Sequence, residues 1–391
     1  MRLLRTTPIR PGTIVLVRVD WNVPVGADGK VDRTEDFKIQ QCLPTLEFLL
    51  RKKARIILAT HLGRPNGKPA PSLRLHAIKR RAQYLLARPI YHIHDYRKSA
   101  VLKALDYTYP YGIVLLENLR FYPEEEANDR DFAKELAACA DLYVNNAFGV
   151  SHRAHASVEA ITHYLPAAAG FLVEQEVRYL ERILRQPRHP YLVLLGGAKI
   201  LGKIDLVHRL STRADAVALG GGIATTVAAC QGLEVGKSFS DHREQGLCEK
   251  VCRQRQFGRF VLPADFVVGS SLNAKTTRVV KADAVRPSDV IGDVGPKSIQ
   301  ALLPLIQQAK MIVWNGPFGY SENPAFATSS RTIARAIAAS AAFSLAGGGE
   351  TVTLLVKTGV ADQFSFVSTG GGAMIEYLEG RKLPGVEALR K

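Results

Sequence analysis

The sequence predicts an α/β chain of two doubly wound parallel-sheet domains joined by a long hinge helix, and three observations carry that reading. Short apolar runs alternate with longer amphipathic stretches almost from end to end. The runs are continuous rather than alternating in polarity, as strands buried on both faces of a parallel sheet must be. One amphipathic stretch near the middle is long, charged suitably at both ends and followed by prolines. A single large sheet is the alternative arrangement.

In the first half the strand-like runs are Thr13–Val19, Arg55–Ala59, Gly112–Leu116 and Leu142–Asn145. In the second they are Tyr191–Leu195, Ala214–Leu219, Arg259–Leu262, Met311–Trp314 and Ala342–Leu345. Helix-period segments between them supply the crossovers of βαβ units. The connector spans Leu172–Gln186, where Val173, Val177, Leu180 and Leu184 recur at helical spacing. Glu174 and Glu176 sit in its first turn and Arg182 and Arg185 in its last, complementing the helix dipole, and Pro187 and Pro190 stop it.

Composition bounds the function. At about 150 residues per domain, 391 residues make two or three domains. With 47% apolar and 23% charged residues the chain is too apolar for disorder. A formal charge of +16 favours anionic partners: phosphorylated metabolites, nucleotides, nucleic acid or an anionic membrane surface. No run approaches the roughly 20 apolar residues of a membrane span, and MRLLRTTPIRPG lacks the apolar stretch of a signal peptide, so a cytoplasmic location is expected. The five cysteines (Cys42, Cys139, Cys230, Cys248, Cys252) are odd in number and scattered, which predicts reduced thiols rather than disulfides or a zinc site.

Ligands of open α/β sheets bind outside the carboxyl ends of the strands. In the first half those ends read Arg18-Val-Asp20-Trp-Asn22, His61-Leu-Gly-Arg64, Glu117-Asn-Leu-Arg120 and Asn146-Ala-Phe-Gly-Val-Ser-His152-Arg153-Ala-His155. Taken singly each arginine is a surface salt bridge; taken together they form a rim whose guanidinium forks suit a small, multiply charged anion. In the second half the ends are glycine-rich: Gly196-Gly-Ala-Lys199, Gly220-Gly-Gly222, Gly347-Gly-Gly-Glu350-Thr351 and Thr369-Gly-Gly-Gly-Ala373. Glycine admits close backbone approach, and helix N-termini offer unpaired N–H groups to phosphate. None of these stretches fits the dinucleotide fingerprint or the Walker-A pattern. With Lys199 and Lys203 beside the first, a nucleotide polyphosphate is the simplest ligand. An anion-binding domain, a nucleotide-like domain and a hinge between them match the needs of phosphoryl transfer.

These motifs resemble one family, phosphoglycerate kinase. The stretches that carry the resemblance are RVDWNVP (Arg18–Pro24), THLGRPNG (Thr60–Gly67), LLENLRFYPEEE (Leu115–Glu126), YVNNAFGVSHRAHAS (Tyr143–Ser157), LGGAKILGKI (Leu195–Ile204), WNGPFGYSE (Trp314–Glu322), GGGET (Gly347–Thr351) and STGGGAMIEYLEGRKLPGV (Ser368–Val386). The resemblance implies two Rossmann-like domains, an N-terminal phosphoglycerate-binding one (1–171, with the tail from about 373 to 391 returning to it) and a C-terminal nucleotide-binding one (187–372), with the helix 172–186 between. It implies reversible phosphoryl transfer between 1,3-bisphosphoglycerate and MgADP, giving 3-phosphoglycerate and MgATP, by a monomer. By similarity Asp20, Asn22, Lys38, His61, Leu62, Gly63, Arg64, Arg120, His152, Arg153 and His155 hold the glycerate substrate. Lys38 and Lys199 are the catalytic cations; Gly197, Lys203, Gly221, Asn315, Glu322, Gly348, Gly349, Glu350 and Thr351 bind nucleotide, and Glu350 binds its Mg2+.

Three positions depart from the family pattern. Lysine stands at Lys38 where the family has arginine, keeping the charge but losing the planar fork. Glutamate replaces the Mg-binding aspartate at Glu350, and Asn146 replaces an aspartate near the hinge. Two alternatives therefore accompany the kinase reading: a diverged homologue with weak or altered acyl-phosphate transfer, and a basic nucleic-acid-binding protein.

Overall fold

Runs rich in Val, Ile and Leu form the centre of each half. In a computed structural model, which describes residues 1–108, 112–197, 204–240 and 259–390, the chain divides into two units. The first comprises Met1–Arg178 with Arg381–Lys391, the second Tyr179–Gly380. No helix among the described residues is long and apolar enough to cross a membrane.

The first unit contains β1 (Ile14–Val19), β2 (Arg55–Ala59), β3 (Ile90–Ile93), β4 (Ile113–Leu116), β5 (Leu142–Asn146) and β6 (Ala167–Ala169). All pair in parallel, in the order β3-β4-β2-β1-β5-β6. Side chains alternate between faces along a strand. Val15, Val17 and Val19 accordingly join one buried cluster with Leu46 and Leu49, while Leu16 joins another with Leu116, Phe132 and Tyr143. Arg18 shares the face of Leu16, and it too is fully buried.

The second unit contains β7 (Tyr191–Leu195), β8 (Ala216–Leu219), β9 (Arg259–Val261), β10 (Asp265–Gly269), β11 (Arg278–Lys281), β12 (Val290–Val294), β13 (Met311–Asn315), β14 (Phe343–Gly347) and β15 (Phe366–Ser368). Its main sheet is parallel, in the order β15-β14-β13-β7-β8-β9. The sequence reading did not anticipate β10, β11 and β12, a separate three-stranded antiparallel sheet in the order β11-β10-β12. Phe266, Val268, Val280 and Val285 make its small core.

The expected connector is present as a helix over Phe171–Arg185, and the boundary between the units falls within it, at Arg178. Its first turn is tied to the end of β5. Asn146 Oδ1 accepts from Leu172 N (3.1 Å) and from Thr45 Oγ1 (3.0 Å), and Thr45 Oγ1 in turn accepts from Phe171 N (2.9 Å). An aspartate's acceptor role at this position therefore survives in the amide. The helix Gly372–Leu378 stays with the second unit, and the chain rejoins the first only from Arg381. There Gly385 N donates to Ser151 O (2.9 Å), Asn145 Nδ2 to Gly385 O (3.4 Å) and Arg2 N to Leu389 O (3.1 Å).

The cysteine expectation needs correction. Cys42 and Cys139 are free and buried, and burial pushes their thiols up to about 12 and about 11. Cys230 is disulfide-bonded. Scatter along the sequence was a poor guide because folding sets the distances between thiols. The disulfide also removes the thiol argument for a reducing compartment.

Asn146→Ala removes the shared acceptor and strands two buried donors. It should lower stability by about 1–3 kcal/mol, seen as a lower denaturant midpoint with an unchanged slope; an unchanged midpoint would show that the tie contributes nothing.

Candidate active site

The ends of β1, β2, β4 and β5 carry the polar groups of the first unit. Beyond β1, Asp20 is 5% exposed and accepts from Lys38 Nζ at 2.8 Å; Lys38 lies on a short helix, Phe37–Gln40. Burial opposes ionisation of Asp20, but the Lys38 ammonium, with Arg18 adding to it, holds its carboxyl well below the usual carboxylate range. Asn22 Oδ1 accepts from Gly63 N (2.9 Å), joining the loops after β1 and β2. Leu62 is pinned from both sides by Asn118, which accepts from its N–H (3.2 Å) and donates to its carbonyl (2.8 Å). Arg120 is 5% exposed and donates to Gly63 O (2.8 Å) while its Nε lies 3.2 Å from Glu126. Arg153 Nε approaches His152 Nε2 at 3.3 Å. Arg64 and Arg153 are exposed at this edge.

Beneath the rim lies an ion pair with no solvent exposure on either side chain, Arg18 Nη2 to Glu125 Oε1 at 3.6 Å. Arg18 Nε donates to Ser157 Oγ (2.8 Å), its Nη1 to Val19 O (2.6 Å), and its Nη2 reaches His61 Nδ1 (3.3 Å). Glu125 accepts from Ser157 N (2.9 Å) and Ser157 Oγ (2.6 Å). The histidines sit inside this cationic environment. Burial, with Arg18 and Arg120 adding to it, holds His61 well below the ordinary imidazole value despite Asp20. Burial first, then Arg18, Arg120 and Arg153, bring His155 down to about 3. Both rings are neutral at physiological pH.

In the second unit a cleft of ≈ 580 Å³ opens at the carboxyl ends of β7, β8 and β13 and against the antiparallel sheet. Such a volume suits a nucleotide-sized ligand. Gly197, Gly221, Glu322 and Glu350 border it, whereas Asn315, Gly348, Gly349 and Thr351 do not. Asn315 Nδ2 donates instead to Gly347 O (3.0 Å), and Thr351 Oγ1 accepts from Gly316 N (2.8 Å), so both brace the turns behind the cleft. Lys199 and Lys203 lie outside the described residues. Part of the glycine richness has a structural origin: a Cβ on Gly316, whose φ is +88°, would stand 2.1 Å from Gly196 O. Backbone packs on backbone there.

Sequence reasoning missed Arg18, Asn118, Glu125 and Ser157, which support the rim, and Lys237, Phe239 and Asp293, which border the cleft. Arg18 and Glu125 stand within the motifs quoted above, but nothing in a motif shows which members are buried. Asp293 is 2% exposed; its carboxylate accepts from Val294 N (2.9 Å), Ser329 N (3.0 Å) and Ser329 Oγ. Burial lifts it to about 6 against those hydrogen bonds.

An acid whose pKa is raised on folding binds its proton more tightly in the folded state. Its stabilising contribution is full below the unfolded value of 3.8 and is lost as pH rises through about 6. Relative to Asp293→Asn, wild-type stability should therefore fall by roughly 3 kcal/mol across that window and run level above it. Denaturant midpoints measured from acid to neutral pH check this; parallel profiles would refute it.

Comparison with known proteins fits this division. The sequence profile of the family described as Phosphoglycerate kinase matches residues 10–381. A phosphoglycerate kinase of Moorella thermoacetica is 44% identical over 378 residues, covering 96% of this chain and 95% of its own length. One from Rubrobacter xylanophilus is 43% identical over 390 residues, covering 99% and 98%. Among solved structures, the phosphoglycerate kinase of Coxiella burnetii matches with a TM-score of 0.82 at 34% identity, over 100% of this chain and 99% of that one. That of Pyrococcus horikoshii OT3 matches with a TM-score of 0.86 at 28% identity, over 100% and 98%. With a basic rim on one sheet, a glycine-bordered cleft on the other and these relatives along its full length, the chain belongs to the phosphoglycerate kinase family.

Proposed function

We propose that the chain moves a phosphoryl group reversibly between MgATP and the carboxylate of 3-phosphoglycerate, with the glycerate acid on the rim of the first unit and the nucleotide in the cleft of the second. One observation carries the glycerate side: His61 and His155 are buried and neutral among guanidinium groups, while Arg64 and Arg153 remain exposed for an anion. The acceptor carboxylate is already ionised at neutral pH, so the reaction needs no general base. Neutral imidazoles that orient a ligand suit that chemistry.

In the ATP-consuming direction a carboxylate oxygen forms a new bond to the γ-phosphorus as the bond to the bridging oxygen breaks, and ADP leaves. The protein's share is alignment and charge neutralisation. Lys38 holds Asp20 with one of its three N–H donors and has others for the substrate. The family resemblance gives Lys199 the moving phosphoryl group and Lys203 a hold on the nucleotide. Asn315, Gly348, Gly349 and Thr351 contribute from behind by shaping the Gly-rich turn. Glu350 is exposed at the cleft border, and one hard carboxylate oxygen fits Mg2+, which takes few protein ligands and completes its shell with phosphate and water. Bound there, Mg2+ offsets the charge of the nucleotide phosphates. We further propose that the chain works as a monomer in the cytoplasm.

A coupled assay with MgATP and 3-phosphoglycerate at low salt tests the assignment. Wild type should turn over clearly, Lys38→Arg should not raise the rate, and Lys38→Ala should lower kcat by about 10²–10³. Arg64→Ala should raise the KM for 3-phosphoglycerate by about tenfold, a loss of one charge-assisted contact. Background turnover in wild type and Lys38→Arg, with both ligands still binding, would overturn the assignment in favour of a diverged acyl-phosphate enzyme.

A further inference from the structure

One cluster of the first unit has no part in the rim. The edge strand β3 carries His92, and His94 follows just past its end; a spacing of two places both on the same side. β3 pairs with β4 so that Ile93 lies opposite Leu116, which brings Glu117, the next residue, alongside. Ligand atoms of His92, His94 and Glu117 all lie within 4.8 Å of one another. His94 Nδ1 is 3.0 Å from Glu117 Oε2, and His92 Nε2 is 3.5 Å from Glu117 Oε1.

Two further observations point to a ligand. The His92 side chain is only 4% exposed, and its buried Nε2 faces the Glu117 carboxylate at 3.5 Å, longer than a normal hydrogen bond. A cation already occupies the neighbourhood: Arg74 Nη1 donates to Glu117 Oε2 (3.2 Å) and approaches His94 Nδ1 (3.1 Å), and its side chain is 38% exposed. The surroundings hold the donors in place. Leu75 N and Asn118 N donate to Glu117 Oε1 at 3.3 and 2.9 Å, and the His76 ring stands edge-on to His92 and His94 with centroids 5.1 and 6.1 Å away.

The donor set discriminates between metals. Two imidazole nitrogens and one carboxylate oxygen suit Zn2+ and its first-row neighbours, whereas Mg2+ and Ca2+ prefer oxygen alone. Zinc bonds of about 2.0–2.2 Å place ligand atoms closer together than 4.8 Å, a contraction that His94, 57% exposed, can supply by rotating inward. Three protein ligands leave a fourth position for water. We propose that His92, His94 and Glu117 form a binding site for a divalent first-row transition metal of the zinc type, which a bound ion enters by displacing the Arg74 guanidinium. Such an ion clips the edge strand to the loop after its neighbour.

The test is a calorimetric titration of the chelator-stripped full chain with Zn2+, paired with visible absorption of the Co2+ form to report coordination. One equivalent should bind with micromolar or tighter affinity. His94→Ala should weaken that binding by more than about 100-fold, since a ligand matters more than its outer-shell partners. Arg74→Ala should tighten it, because the competing cation is gone. His92→Gln should behave as His94→Ala does; should it fail to fold, the exposed His94 decides alone. Binding no tighter than millimolar in wild type, or undiminished binding in His94→Ala, would overturn the proposal.

Discussion

The guanidinium of Arg18 lies near the carboxyl end of an apolar strand, fully enclosed, and the loops of the first unit are arranged around it. An isolated buried charge is costly, and this one is compensated by Glu125, by Ser157 Oγ, by the carbonyl of Val19 and by contact with His61. Removing one partner of such a pair costs about 3–5 kcal/mol, because the other is left charged and unpaired. Glu125 draws in Ser157, Ser157 lies beside His155, and His61 lies beside Asp20. One ion pair thus sets the relative positions of the segments following β1, β2, β4 and β5. The rim above it inherits its geometry, and Arg18 adds to the burial that keeps its histidines neutral.

Among its described residues, the second unit positions its turns mainly through backbone hydrogen bonds. Its turns carry glycines because the turns touch: Gly197 N donates to Pro317 O (2.7 Å), Gly222 N to Gly197 O (3.0 Å) and Gly221 N to Phe318 O (2.9 Å). Thr351 and Asn315 join the next turn to the same assembly. The cleft wall is therefore a set of mutually hydrogen-bonded backbones. Side chains such as Glu350 and Glu322 are carried on its border rather than within its framework.

What the sequence showed followed from burial. Largely buried strands such as Arg55–Ala59 and Tyr191–Leu195 were legible with their boundaries, because both faces demand apolar residues. The edge strand β3 was not, since His92 interrupts its apolar run, nor was β6, whose three alanines have little strand preference. The antiparallel sheet escaped notice because β11, with Arg278 and Lys281, presents mainly exposed residues. In the site, groups at strand ends were legible from motif position, and Lys38 and Asn146 as departures from it. The partners of those groups were not, because Arg18 with Glu125, and Asp293 with Ser329, meet across long stretches of sequence.

The last residues have a consequence for how the molecule is made. A ribosome releases β1 early, yet the first unit includes Arg381–Lys391, and Gly385 bonds to Ser151 and, across 240 positions of chain, to Asn145. The amino-terminal unit therefore stays incomplete throughout translation of the second, because its apolar contacts Leu383, Val386 and Leu389 follow that whole unit in the chain. Closure of the first core waits on the segment that follows the second unit, rather than on synthesis of the chain's first half.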